Sequence, residues 1–233
     1  MIKRYTSESY IFLENAFLES ENSVRLLGVT IDRNLSFERH ISNILKESNK
    51  KLHALMRNER FLLVEKKLLI MKTFVESQFN YCPLLWMYCS RTHNNMINKF
   101  HERALRVVYK NSKLTFEKLL EKDKSFTIHH RNVQKLAIEM YKVKQNLCPK
   151  PFQELFTKAT RGKHEWVLPS VRKVKSGKET IRYRGPMTWE IVPKEIKLSK
   201  NLKSFKERIK TWKPIGCDCR LCKTYIQGVG FIS

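Results

Sequence analysis

The chain has 233 residues, with 46 Lys and Arg against 22 Asp and Glu and a formal net charge of +24. That balance argues against an ordinary near-neutral enzyme and puts nucleic acid first among the expected partners. Hydrophobic residues make up 42%, enough to bury a core in one or two domains, so a basic disordered tail is excluded as well.

No apolar run approaches the about 18 residues that a membrane span needs, and the N-terminus has no signal-peptide core. The 6 cysteines follow no disulfide rhythm, which fits a reducing compartment. An intracellular protein, nuclear or cytoplasmic and without a membrane partner, is expected. Only 7 Gly and 7 Pro argue for long helices, hence a mainly α chain of the α+β kind.

Residues 1–33 carry four basic and five acidic groups, so the excess positive charge lies after Arg33. Within them, YIFLENAFL (10–18) and VRLLGVTI (24–31) read as two strands of an N-terminal β-hairpin. Ser36 is a candidate cap for a helix whose apolar positions are Phe37, Ile41, Ile44, Leu45, Leu52 and Leu55. A second helix, Glu65 to Phe79, offers Leu68, Leu69, Met71, Phe74, Val75 and Phe79, and packs antiparallel on the first.

The stretch Tyr81 to Lys110 is the most informative. After a short apolar run broken by Pro83, Ser90 or Thr92 caps a helix with Ile97, Phe100, Ala104, Val107 and Val108 on one face. Opposite them, Lys99, Arg103, Arg106 and Lys110 recur at steps of four, three and four. At 100° per residue they share a sector of roughly 60°. Aligned like charges repel unless a polyanion meets them, so this stripe is a candidate phosphate-backbone contact; a solvated face is the alternative.

A short helix, TFEKLLEKD, and a long one from Thr127 to Asn146 follow. The long helix buries Ile128, Leu136, Ala137, Met140 and Tyr141, and adds Arg131 and Lys135 to the candidate nucleic-acid contacts. From Trp166 to Tyr183, VLPSVRKV and ETIRYR read as strands of a small basic β element. Leu198, Leu202, Phe205, Ile209 and Trp212 then mark an amphipathic helix capped by Ser199 or Asn201. The expected organisation is a hairpin (1–33), a helical bundle (34–112), a second helical domain with the β element (113–213) and a Cys-rich tail (214–233).

The tail places Cys217, Cys219 and Cys222 in a C-x-C-x-x-C spacing that thiolates use to share a zinc ion. A structural site needs four ligands, and the nearest upstream histidine, His164, or a residue of a second molecule would supply the last; three reduced thiols in a tail are the alternative. His129 and His130 open the long helix without a nearby acidic partner and read as packing and capping residues. The Asp residues are only Asp32, Asp123 and Asp218, so the clustered carboxylates of two-metal phosphoryl transfer are missing, as are Gly-rich phosphate loops.

Read together, LLGVTID (26–32), FVESQFNYCPLLWMYCSRTHNNMINKFHERALRVVY (74–109), SFTIHHRN (125–132) and CDCRLCKTYIQGVGFI (217–232) resemble the C-terminal part of jockey-type non-LTR retrotransposon reverse transcriptases. The resemblance implies that LLGVTID ends a hairpin trailing the catalytic palm. It implies further that 34–112 is a thumb-like bundle and that the remainder is a connecting region with a Cys-rich tail. The family's catalytic aromatic-Ala-Asp-Asp motif, its palm and its fingers are not among these residues. The expectation is a nucleic-acid-binding remnant of an RNA-directed DNA polymerase that holds template/primer duplex or RNA and is not an enzyme as this chain. The alternative is an independent basic nucleic-acid-associated interaction protein.

Overall fold

The computed structural model describes residues 11–13, 16–18, 21–162, 164–171, 177–223, 225–226 and 230–231, and within them the chain is mainly helical with short antiparallel strand pairs. Strands β1 (Ile11–Leu13) and β2 (Ala16–Leu18) form one hairpin, and β3 (Ser23–Leu26) and β4 (Val29–Asp32) a second. The single hairpin expected from the sequence is therefore two. The second break is made by Leu27 and Gly28, both left-handed at φ 46° and 83°, as a two-residue turn between twisted strands requires. Val29 is buried, the Thr30 amide donates to His40 Nδ1 at 3.4 Å, and the Tyr81 hydroxyl donates to the Leu27 carbonyl, so the hairpin is docked on the chain's own helices.

Helix α1 (Glu38–Asn58) buries Ile41, Ile44, Leu45, Leu52 and Leu55 on the expected stripe. Its entry is held by Asp32 more than by Ser36: the carboxylate accepts from the Phe37 amide at 2.7 Å and the Ser36 amide at 3.0 Å. Helix α2 (Val64–Ile70) runs on through a π turn (Met71–Val75) into a 3-10 turn (Glu76–Asn80). This change of pitch shifts the phase expected for an unbroken helix. Met71, Val75 and Phe79 are buried, whereas Leu69 and Phe74 face solvent, Phe74 lying under Lys51 Nζ at 4.7 Å.

Two short steps then set the direction of the chain. Pro83 starts α3 (Pro83–Trp86), and the Ser90 side chain accepts from the His93 amide to cap α4 (Arg91–Tyr109). Thr115 and Thr127 cap α5 (Phe116–Asp123) and α6 (Ile128–Lys144) in the same way. A first core gathers α1, α2, the turns after it, α4, α5 and Ile128. A second gathers Met87 with Val133, Ala137, Met140 and Tyr141 of α6 and with Trp189, Phe205, Ile209 and Trp212. The expected boundary near residue 112 is thus not where packing divides: α5 belongs to the first core, and α6 serves both.

The second core departs from expectation in two places. IRYR, expected as a strand, is the first turn of α8 (Ile181–Ile191), which follows the one-turn α7 (Lys150–Gln153). VLPSV is irregular, a lone bridge joins Lys158 to Trp166, and 172–176 lie outside the described residues. Alternating β-branched and charged residues suit either state, and packing of α8 on α6 decides. At their crossing a Cβ on Gly185 would lie 2.6 Å from Met140 Sδ and 2.8 Å from Phe156 Cε1. Gly185→Ala should therefore cost about 1–3 kcal/mol by overpacking, read as a lower urea midpoint with an unchanged slope.

Leu198 is the other departure. It closes α9 (Lys194–Lys197) and is 80% exposed, while Asn201 caps α10 (Leu202–Ile209), so Phe205, Ile209 and Trp212, with half-buried Leu202 beside them, carry that face into the core. The chain ends in α11 (Arg220–Lys223), β5 (Tyr225–Ile226) and β6 (Gly230–Phe231). No helix of the described residues is long and apolar enough to cross a membrane.

Candidate nucleic-acid interface and metal centre

Helices α1 and α4 lie side by side. His93 Nδ1 is 3.9 Å from Glu38 Oε1 near their starts, and Arg103 Nη2 is 3.1 Å from His53 Nε2 farther along, so the two run in the same sense. Of the four cationic residues expected as a stripe on α4, Lys99, Arg103 and Lys110 are exposed. Arg106 is not free to turn outward: it pairs with Glu102 at 2.6 Å and donates to the carbonyls of Asn111 and Ser112, closing the helix end. Lys110 sits past the end in a left-handed cap at φ 50°.

The positive charge continues on α1, where the sequence sets Lys46, Lys50 and Arg57 off the apolar stripe. Lys46, Lys50, His53 and Arg57 are exposed at steps of four, three and four, a sector of roughly 60° at 100° per residue, with Lys50 pairing to Glu47 at 2.7 Å; Arg60 follows in the 3-10 turn past the helix end. Periodic spacing was the available signal. That spacing lies opposite the apolar stripe of the same helix, Ile41 to Leu55. The two rows meet at Arg103, His53 and Met56.

Arg131 and Lys135 of α6 are held by intramolecular partners. Arg131 Nη1 is 2.7 Å from Oε2 of Glu76, whose side chain is only 2% exposed, and His101 Nε2 is 3.2 Å from the other oxygen. Burial alone would raise the Glu76 carboxyl, but the Arg131 charge holds it below its ordinary value. Burial pushes His101 down to about 4, so it is neutral at pH 7. Lys135, half-buried, donates to Asn80 Oδ1 at 2.8 Å, and burial with the Arg131 charge lowers it to about 8. Beside this network Lys72 pairs with buried Asp123 at 3.0 Å, and the Tyr109 hydroxyl donates to the same oxygen at 3.1 Å.

The second cluster lies where the tail meets α6. Ligand atoms of His129, Cys219 and Cys222 lie within 4.8 Å of one another, the arrangement of a metal-binding group. His129 Nε2 is 3.2 Å from Cys219 Sγ, while Nδ1 is 3.1 Å from the Met87 carbonyl, which only accepts. The proton of a neutral imidazole is therefore on Nδ1, and the Nε2 lone pair faces the thiols. Cys217 is not within that 4.8 Å mutual distance but lies next to the cluster, lining the same cavity as Cys222. Hydrogen bonds from Cys217 and Cys222, and from the backbone amides of Cys222 and Leu221, hold Cys219 as a thiolate, well below the ordinary thiol range.

His164 is not part of it. That side chain is 63% exposed and faces Glu190 Oε1 at 3.7 Å, so the histidine nearest in sequence is not the one the fold supplies. His129, read as a packing residue, takes its place from 90 residues upstream of Cys219. Cys89, Cys82 and Cys148 stand apart as free thiols, and burial first of all pushes Cys89 up to about 12, leaving it an inert apolar side chain. Compared with protein-family models, curated proteins and solved structures, the chain gives no match.

Proposed function

We propose that this chain is the nucleic-acid-binding thumb and connecting region of a jockey-type non-LTR retrotransposon reverse transcriptase, a part that holds duplex or RNA without the catalytic motif. The observation that supports it best is the paired exposed rows on α1 and α4, Lys46, Lys50 and Arg57 beside Lys99 and Arg103, in a chain of net charge +24. Two helices side by side present cations along a line that a sugar-phosphate backbone follows. Contacts of this kind read shape and charge and leave the bases unread.

Neutralising Arg57, Lys99 and Arg103 together, each to Gln, removes exposed charge and no core contact. The triple variant should melt like wild type and bind duplex with a plot of log affinity against log salt shallower by about one unit per lost contact. An unchanged slope would move the interface elsewhere. The second reading, an independent basic interaction protein, draws support from the hairpin that Val29 and Tyr81 fix to the chain's own helices. Preference separates the two: a thumb remnant favours RNA–DNA hybrid over B-form duplex of equal length, and a generic basic factor follows charge density alone.

For the thiol cluster the metal we propose is zinc. Three sulfurs and an imidazole are donors that a borderline-soft ion of tetrahedral habit takes, and hard oxygen-seeking cations do not.

A further inference from the structure

We infer that the centre is a closed four-ligand site, Nε2 of His129 with the thiolates of Cys217, Cys219 and Cys222, and that it works as a clasp locking the tail onto the junction of the two cores. The inference rests on the zinc reading and adds to it the closed shell and the structural role. Zinc with sulfur bonds near ~2.3 Å and a nitrogen bond near ~2.0 Å, set tetrahedrally, spaces its donor atoms about 3.6 Å apart. The 3.2 Å from His129 Nε2 to Cys219 Sγ and the 4.8 Å ceiling over the His129, Cys219 and Cys222 atoms bracket that spacing. Cys217, two residues before Cys219 and lining the same cavity as Cys222, is the donor a bound ion draws in to close the shell, which leaves no open position for substrate or water, as in a structural centre.

The surroundings are those of a built site. The Met87 carbonyl orients the imidazole, as second-shell acceptors of metal-bound histidines do. Arg184 Nη1 pairs with Asp218 at 2.7 Å between two of the cysteines, and Arg220 reaches the Tyr88 and Cys89 carbonyls at 3.3 and 3.1 Å and Glu179 at 3.1 Å. The backbone amide of Cys222 donates to Cys219 Sγ at 3.3 Å. The buried Tyr88 hydroxyl has no hydrogen-bond partner among the described residues, and its ring stands edge-on to His129 at 6.1 Å. Gly216, left-handed at φ 86°, turns the chain into the first cysteine. A cavity of about 250 Å³ between His130, Lys213, Ile215, Gly216 and the Cys217 and Cys222 side chains gives an ion its way in.

The fold without metal gathers one buried and two half-buried cysteines near an imidazole, so ion binding adds directly to folding stability. Its grip joins four places far apart in sequence: the Met87–Cys89 link, the start of α6, Arg184 of α8 and the tail.

The test is metal analysis and zinc-edge X-ray absorption of the full chain purified without chelator, with zinc affinities of two variants by competition. One zinc per chain in a shell of three sulfurs and one nitrogen is expected. Cys217→Ser and His129→Asn should each weaken zinc by at least about tenfold, while His164→Gln changes nothing. Zinc well below one per chain would overturn the metal reading itself. One zinc per chain held by two sulfurs and lighter atoms, or an affinity indifferent to Cys217, would leave that reading standing and sink the closed clasp. If His129→Asn fails to fold, the wild-type absorption spectrum decides alone.

Discussion

Replacing Glu76 by Ala should cost about 3–5 kcal/mol of stability, the range for removing one partner of a buried ion pair. The carboxylate is 2% exposed and answers two cations or potential cations at once, Arg131 at 2.7 Å and His101 at 3.2 Å. Without it the half-buried guanidinium keeps its charge and loses its partner, and the cost is that of an uncompensated charge more than of a lost contact. Urea unfolding measures it. The Glu102–Arg106 pair is the control, with a similar separation of 2.6 Å but 29% and 31% side-chain exposure, and Glu102→Ala should cost under about 1 kcal/mol. Equal losses at the two sites would mean that burial of Glu76 does not set its contribution.

Acid should destabilise the same network in a defined order. His101 has an ordinary value of 6.5 and is pushed down to about 4 by burial, so on lowering the pH the unfolded chain takes up its proton first. Its contribution is complete above 6.5 and is lost as pH falls toward 4, about 3 kcal/mol in all at 1.36 kcal/mol per unit. Glu76 is depressed too, so its share is present above 4.5 and goes only at still lower pH. Chemical denaturation at intervals from pH 7 to 4 should trace the first loss. A His101→Gln variant, less stable at pH 7, should be flatter over that window. An identical slope in the variant would assign the loss to other groups.

The long helices were legible because each carries one apolar stripe and an end signal: Ile41 to Leu55, Ile97 to Val108 with Ser90, Ile128 to Tyr141 with Thr127. Local chemistry sufficed for these. Three features depend on partners that a linear reading does not see. Phe74 and Leu69 fall outside the core because the helix changes pitch at Met71 to satisfy packing against α1. IRYR becomes helix because α6 offers Gly185 a seat between Met140 and Phe156. The tail cysteines offered a metal-ligand spacing, yet the histidine beside them is named only by the fold, since no spacing rule links position 129 to position 219. Among the basic residues, charge was visible and availability was not. Arg106, Arg131 and Lys135 carry the right charge and spend it inside the molecule, whereas Lys46 and Arg57 of α1 are exposed.

Helix α6 has a consequence for how the molecule comes apart. Its first turn buries Ile128 in one core and brings His129 to the thiols, its second reaches Glu76 through Arg131, and its remaining turns bury Val133 to Tyr141 in the other core. One rigid rod is therefore a structural member of both halves, and melting it removes packing from each. The chain is expected to unfold as one cooperative unit, and a form with one core intact and the other molten has no helix of its own to stand on.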